Sequence, residues 1–163
     1  MKHILIPTDF TIKSLQAVKA AADHFHDERI KITLFHLLEL PFGIGDMLFR
    51  LNSHKNSKLI DADFTNACQI IQNKYHSSIE SIDTVFGQGS TVSYLSNVLD
   101  GLDIDLIFLQ QNLKLTQPDK RSINVVPMLY KTNYKIIEVA GAQLSEKVNF
   151  SIADLLVQST SFQ

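Results

Sequence analysis

The sequence predicts an α/β protein: a three-layer α/β/α, Rossmann-like fold built on an open, twisted parallel sheet. Two observations carry this prediction. Five short apolar segments alternate with segments of helical periodicity, and several of the apolar segments are continuous. Continuous runs of branched apolar residues are typical of strands buried on both faces, as in parallel sheets covered by helices. Strands that alternate with helices indicate right-handed crossovers within one sheet.

The first two strands flank an amphipathic helix. Residues 4–6 form an apolar run closed by Pro7, which predicts the first strand. Thr11 is the predicted N-cap of a helix that continues to about His26, with apolar residues at three- and four-residue steps. Residues 29–38 become almost continuously apolar and predict the second strand.

A long helix and a third strand follow. Residues 41–54 are irregular and predict a short helix or a flap. Ser57 is the predicted cap of the long helix. Its apolar stripe consists of Ile60, Phe64, Ala67, Ile71 and Tyr75. Residues 81–86 predict the third strand, and Ser90 is the predicted cap of the helix after it.

The fourth strand is predicted at residues 106–109, followed by a polar loop at 110–121. Pro127 is compatible with a helix only in its first turn, which predicts Ser122 or Asn124 as the cap. Residues 134–139 predict the fifth strand.

The chain is predicted to form one α/β domain at residues 1–140 and a C-terminal extension at 141–163. Within the extension, residues 151–154 match a capping box ahead of three apolar residues. We expect a short amphipathic helix here that docks on this chain or on a partner.

Composition excludes several classes of partner. A net charge of −2 argues against a nucleic-acid or acidic-membrane surface. No apolar stretch approaches the roughly 20 residues that cross a bilayer. The single Cys68 cannot form an internal disulfide, which favours a reducing compartment. We therefore expect a cytoplasmic protein.

Asp9 is the first candidate binding residue, because open α/β sheets bind ligands beyond the carboxyl ends of their strands. It could hydrogen-bond a ribose or an amine, or satisfy amides at the start of the first helix. Residues 87–90 are compatible with an anion nest or with a tight turn. The histidines show no metal-ligand spacing, and no catalytic motif occurs.

The ordered set of motifs resembles the universal stress protein family. The match comprises residues 4–10, the second strand ending at residues 34–37, Gly87 and residues 105–109. The resemblance implies a five-stranded sheet of order 3-2-1-4-5, an adenine nucleotide alpha hydrolase-like fold. It also implies a homodimer through the edge strand 134–139, with Lys135 and Glu138 available to pair across it, and with the C-terminal extension taking part.

In nucleotide-binding members of that family, a glycine-rich stretch after the fourth strand holds ATP. Residues 110–124 occupy its place and contain no glycine, and Pro118 removes a backbone donor. Lys114, Lys120 and Arg121 could hold an anion by charge instead, or be solvated. The residues that the resemblance marks as a possible nucleotide site are Thr8, Asp9, His36, Leu37, Gln110, Gln111 and Ser122.

Two functional hypotheses follow. The first is a non-enzymatic, universal-stress-like regulatory protein, with a protein partner possible, that does not bind ATP in the family's usual mode. The second is a member that binds ATP or AMP through Asp9, the backbone near His36 and Leu37, and the glycine-free loop. An enzyme of the wider hydrolase-like group is a third and weaker hypothesis, since the missing glycines count against it.

Overall fold

The computed structural model describes residues 1–40, 58–141 and 151–157. The strands are β1 (Lys2–Pro7), β2 (Ile30–Leu38), β3 (Ile79–Gln88), β4 (Leu106–Gln110), β5 (Ser122–Ile123) and β6 (Lys135–Val139). A 3₁₀ turn (Ile12–Leu15) leads into the first helix. The helices are α1 (Gln16–His24), α2 (Ala62–Lys74), α3 (Val92–Gly101), α4 (Val126–Leu129) and α5 (Ile152–Val157).

The main sheet is parallel and has the order β3-β2-β1-β4-β6. The predicted fifth strand is β6, so the predicted order 3-2-1-4-5 is confirmed. The structure adds β5, a two-residue strand that pairs antiparallel with the end of β2. It lies in the segment that the sequence predicted to be a loop and a helix cap.

Apolar residues fill a core on each face of the sheet. Along β1, Ile4 and Ile6 lie in one cluster, whereas Leu5 lies in the other. Successive side chains of a strand point to opposite faces, so a continuous apolar run buries both faces of the sheet. The three-layer architecture predicted from these runs is confirmed.

Helix starts agree with the sequence in part. Thr11 is confirmed as a cap, since its Oγ1 accepts the Ser14 N–H at 3.2 Å. The prediction that Ser90 caps α3 is wrong, because Thr91 is the cap and its Oγ1 accepts the Tyr94 N–H at 3.1 Å. The long helix begins after Asp61. Its predicted cap Ser57 and the irregular segment 41–54 lie outside the described residues. The first helix ends at His24, earlier than predicted.

The predicted cap of α4 also needs correction. Ser122 lies in β5 and cannot begin that helix. Asn124 is not the cap either, because Val125 occupies the N-cap position and makes no side-chain capping bond. Asn124 lies one residue earlier, and its Oδ1 accepts the Val126 N–H at 3.3 Å. Pro127 lies in the first turn, as predicted, where its missing N–H has no helical partner to lose.

The extension contributes α5, which packs against the 3₁₀ turn. Ser151 and Asp154 form the predicted capping box, with the Ser151 N–H donating to Asp154 Oδ2 at 3.0 Å. Leu155 is fully buried in the same cluster as Phe10 and Leu15. In the part of the chain that the structure describes, no helix has the length and apolar character to span a membrane.

Candidate functional site

A crevice lies at the carboxyl ends of the central strands. β1 pairs with β2 on one side and with β4 on the other, which makes its end the switch point of the sheet. Ligands of open α/β sheets bind at this point. Thr8 and Asp9 follow β1, and Gln110 ends β4. The structure thus brings these predicted residues to one end of the sheet.

Asp9 is 3% exposed, and its carboxylate accepts four hydrogen bonds from the protein itself. Oδ1 accepts from Thr11 N at 3.1 Å and from Thr11 Oγ1 at 2.6 Å. Oδ2 accepts from Thr116 N at 2.7 Å and from Thr116 Oγ1 at 2.8 Å. A carboxylate offers about four acceptor positions, so this network uses the capacity of Asp9.

The turn after Asp9 holds a strained residue. Phe10 has φ of 62°, in the left-handed region that non-glycine residues rarely adopt. Its ring is buried against His36, at 4.9 Å between centroids, and against Phe64 at 5.7 Å. This packing compensates a conformational cost of about 1–2 kcal/mol.

His36 is 4% exposed and uses both ring nitrogens. Nδ1 lies 2.7 Å from the Thr8 carbonyl oxygen, and Nε2 lies 2.8 Å from Ser122 Oγ. Burial lowers the pKa of His36, although the Thr8 carbonyl and the carboxylates of Asp9 and Asp119 act in the opposite direction. The imidazole is therefore neutral at pH 7.

β5 occupies the edge of β2 that β1 leaves uncovered. β1 ends at Pro7, opposite Phe35, and the backbone of β2 continues beyond it. Leu37 and Leu38 pair there with Ile123 and Ser122. The predicted site residues Leu37 and Ser122 thus lie on paired strands, although each has another residue as its direct partner.

A cavity of about 280 Å³ lies beside β5. Its walls include the apolar residues Phe35, Leu37, Leu115, Ile123 and Val125. Its polar lining residues are Thr8, His36, Thr116, Gln117, Ser122 and Asn124. The predicted candidates Thr8, His36, Leu37 and Ser122 therefore share one cavity.

Gln110 and Gln111 line a second cavity of about 180 Å³, between the end of β4 and α1. Gln110 Oε1 is buried without a hydrogen-bond partner among the described residues. The two glutamines lie apart from the cavity at His36. The predicted site residues therefore divide between two cavities.

Arg121 of the loop and Gly87 of β3 have structural roles. Arg121 pairs with Asp119, at 3.0 Å between Nε and Oδ1. A Cβ on Gly87 would lie 2.5 Å from the ring of Phe35, so close packing explains this glycine. The predicted turn at residues 87–90 needs correction, because β3 continues past the predicted end at residue 86 to Gln88. Gly89 N donates to the Leu38 carbonyl at 3.0 Å, which extends the pairing of β3 with β2.

Sequence reasoning missed Thr116 and the pairing of β5. Thr116 lies 107 residues from its partner Asp9 in a polar stretch without periodicity. A lone threonine in such a stretch carries no signal for a long-range contact, and a two-residue strand is too short to show alternation.

No protein-family model matches the chain, and no curated protein matches it. Solved structures do match. The hypothetical protein PH0823 is 17% identical, with a TM-score of 0.55, over 88% of this chain and 99% of that chain. The hypothetical protein MJ0577 is 15% identical, with a TM-score of 0.52, over 88% and 98%.

A universal stress protein from Lactobacillus plantarum is 13% identical, with a TM-score of 0.55, over 85% of this chain and 97% of that chain. At such identities the likeness concerns the arrangement of the backbone. The observed strand order agrees with the order that the sequence resemblance implied. The chain therefore has the three-layer α/β fold of the universal stress proteins.

Proposed function

We propose that this chain is a universal-stress-like regulatory protein, without enzymatic turnover, whose own loop takes the place of a nucleotide. The proposal rests on the fold and on the crevice. In this proposal the chain does not bind ATP in the mode that the resemblance implies, and needs no cofactor.

The network around Asp9 is the observation that carries the proposal. The resemblance assigns this carboxylate to the adenosine of a bound nucleotide. Here Thr116 donates both its N–H and its hydroxyl to Oδ2, at 2.7 and 2.8 Å. A ribose hydroxyl would have to displace two short, charge-assisted hydrogen bonds, each worth about 1.5–3 kcal/mol.

The backbone of β2 supports the same conclusion. The resemblance implies that a nucleotide would bind to the backbone near His36 and Leu37. In this structure β5 pairs with that stretch of β2. Arg121 O also accepts the Glu39 N–H at 2.8 Å. The loop that lacks the family's glycines thus covers the strand edge that a nucleotide would use.

The alternative function is ATP or AMP binding through Asp9 and the loop 110–124. The cavity of about 280 Å³ beside His36 favours it, since part of the crevice is open. Binding in the family mode would then require the loop to leave both Asp9 and β2.

Excess ATP with Mg²⁺ is expected to leave the melting temperature of the protein unchanged. A ligand at about 100 times its dissociation constant would add about 2.7 kcal/mol to the free energy of unfolding. The melting temperature is measured by scanning calorimetry with and without ATP and Mg²⁺. A nucleotide-binding universal stress protein is the positive control. A clear rise in the melting temperature with ATP that is absent in the Asp9→Asn variant would favour the alternative, in which the chain binds ATP or AMP.

The proposed compartment is the cytoplasm. Burial raises the pKa of the Cys68 thiol to about 11, which keeps it protonated and unreactive at neutral pH. A protonated, half-buried thiol is compatible with a reducing compartment.

We further propose a homodimer through the edge strand β6 and the extension 141–163. In the described sheet, β6 pairs with β4 alone and forms one edge. An uncovered edge favours pairing with a second strand. Light scattering at 100 μM is expected to give about twice the chain mass of 18.4 kDa. A mass of one chain at that concentration would exclude this dimer.

A further inference from the structure

Ser122 and His36 form a hydrogen-bonded pair in the wall of the larger cavity. Ser122 Oγ lies 2.8 Å from His36 Nε2, and both residues line the cavity. A hydroxyl within hydrogen-bond reach of an imidazole is the arrangement by which proteins activate serine as a nucleophile. Asp9 makes no hydrogen bond to either residue of this pair among the contacts of the described residues.

The partner of Nδ1 fixes the tautomer of His36. A carbonyl oxygen only accepts hydrogen bonds, so the 2.7 Å contact with the Thr8 carbonyl requires the proton on Nδ1. In the neutral ring, Nε2 then carries the lone pair and accepts the Ser122 hydroxyl. The Thr8 carbonyl thus orients the imidazole, the part that a carboxylate takes in serine hydrolases.

The surroundings hold both side chains in place. The His36 ring packs against Phe10 and, with centroids 6.1 Å apart, against Phe86. Ser122 Oγ accepts the Asp119 N–H at 3.2 Å, and Ser122 N donates to Asp119 O at 2.9 Å. The carboxylates of Asp9 and Asp119 favour the positive charge that His36 acquires when it takes a proton.

The residues that line the cavity indicate which class of compound could modify Ser122. Its lining residues within the described ranges include five apolar side chains and no lysine or arginine. Such walls fit an uncharged acyl group better than a phosphate ester. Asn124 also lines the cavity, and its Oδ1 accepts the Val126 N–H, so its amide NH₂ is the end that can stabilise a developing oxyanion.

We propose that Ser122 is a nucleophile, with His36 as its general base, that accepts an acyl group from a small, uncharged ester or thioester bound in this cavity. The inference goes beyond the proposed function, because it concerns one covalent event per chain and involves no nucleotide. A regulatory protein could be modified in this way without turnover.

The step balances as an acyl transfer. Ser122 Oγ forms a bond to the acyl carbon while its proton passes to His36 Nε2. The tetrahedral intermediate then collapses and the bond to the alcohol or thiol breaks. The leaving group takes the proton from Nε2, which returns His36 to its neutral form and leaves an acyl-serine.

A fluorophosphonate is the first probe, because it forms an Oγ–P bond and releases fluoride at activated serines. We expect one label per chain, located at Ser122 by peptide mass spectrometry. Ser122→Ala should abolish it, whereas Ser93→Ala, a change at an exposed serine of α3, should leave it intact. Labels spread evenly over several serines would overturn the proposal.

The role of His36 is tested by a variant and by pH. His36→Gln should slow acylation by 4-nitrophenyl butyrate about 100-fold or more. The pH dependence is measured on the unsubstituted protein, so this test does not depend on the folding of a variant. The rate of acylation should rise with pH and reach half its maximum below pH 6.5, because burial lowers the pKa of His36. A rate that falls as the pH rises from 5 to 8, or that is unchanged in a folded His36→Gln protein, would contradict the assignment.

Discussion

Replacing Asp9 with alanine is expected to lower the free energy of unfolding by about 3 kcal/mol. The change leaves the N–H and hydroxyl groups of Thr11 and Thr116 without their acceptor, in a position that is 3% exposed. Thr11 also caps the first helical turn, so loss of its partner loosens that cap. For a chain of this length we expect a melting temperature lower by about 6–12 °C.

Thr116→Val is the matched control for this network. It keeps the backbone N–H of the loop and removes only the hydroxyl that donates to Asp9 at 2.8 Å. We expect a loss of about 1.5 kcal/mol, at the low end for a hydrogen bond to a carboxylate because Thr116 itself is exposed. The two changes should be non-additive, since both act on one network. A loss below about 1 kcal/mol in Asp9→Ala, measured by urea unfolding, would mean that Thr116 does not hold this carboxylate in solution.

Leu155→Ala is expected to destabilise the protein by about 3 kcal/mol. Leu155 is fully buried against the 3₁₀ turn and the residues around Phe10, so its truncation leaves a cavity. Substitutions of this kind cost about 2–5 kcal/mol in well-packed cores. Urea unfolding measures the change, and the slope of the transition should stay constant.

Ala153→Ser provides the control within the same helix. Ala153 is exposed on α5, and surface substitutions stay within about ±0.5 kcal/mol. If Leu155→Ala behaved like this control, the extension would not be part of the folded domain. The expected contrast distinguishes a helix that belongs to the core from one that is only adjacent to it.

The layers of the fold could be predicted because strands that are buried on both faces have continuous apolar runs in the sequence. The run Ile4 to Ile6 is apolar at every position, and the structure places its members in both cores. The order of the strands was implied by the resemblance rather than by periodicity. Exact helix starts were harder to predict, since Ser90 and Thr91 are adjacent and both are good caps, and Thr91 is the one that accepts the Tyr94 N–H.

The site could be predicted only in part. Asp9 follows from its position after the first strand, whereas His36 was implied by the resemblance, and the structure places both at the crevice. Ser122 was among the candidates, but neither its hydrogen bond to His36 nor the role of Thr116 could be predicted, because the partners lie 86 and 107 residues apart along the chain. Hydrogen bonds between distant polar residues depend on how a loop folds back, which hydrophobic periodicity does not encode.

The claim that the loop takes the place of a nucleotide is tested most directly at the Thr116 amide. In ¹H–¹⁵N spectra, this N–H should exchange slowly with solvent because it donates to buried Asp9 at 2.7 Å. Its resonance should stay unchanged when millimolar AMP or ATP with Mg²⁺ is added. A saturable shift of the Thr116 resonance on addition of nucleotide, with faster exchange of the amide, would contradict the account.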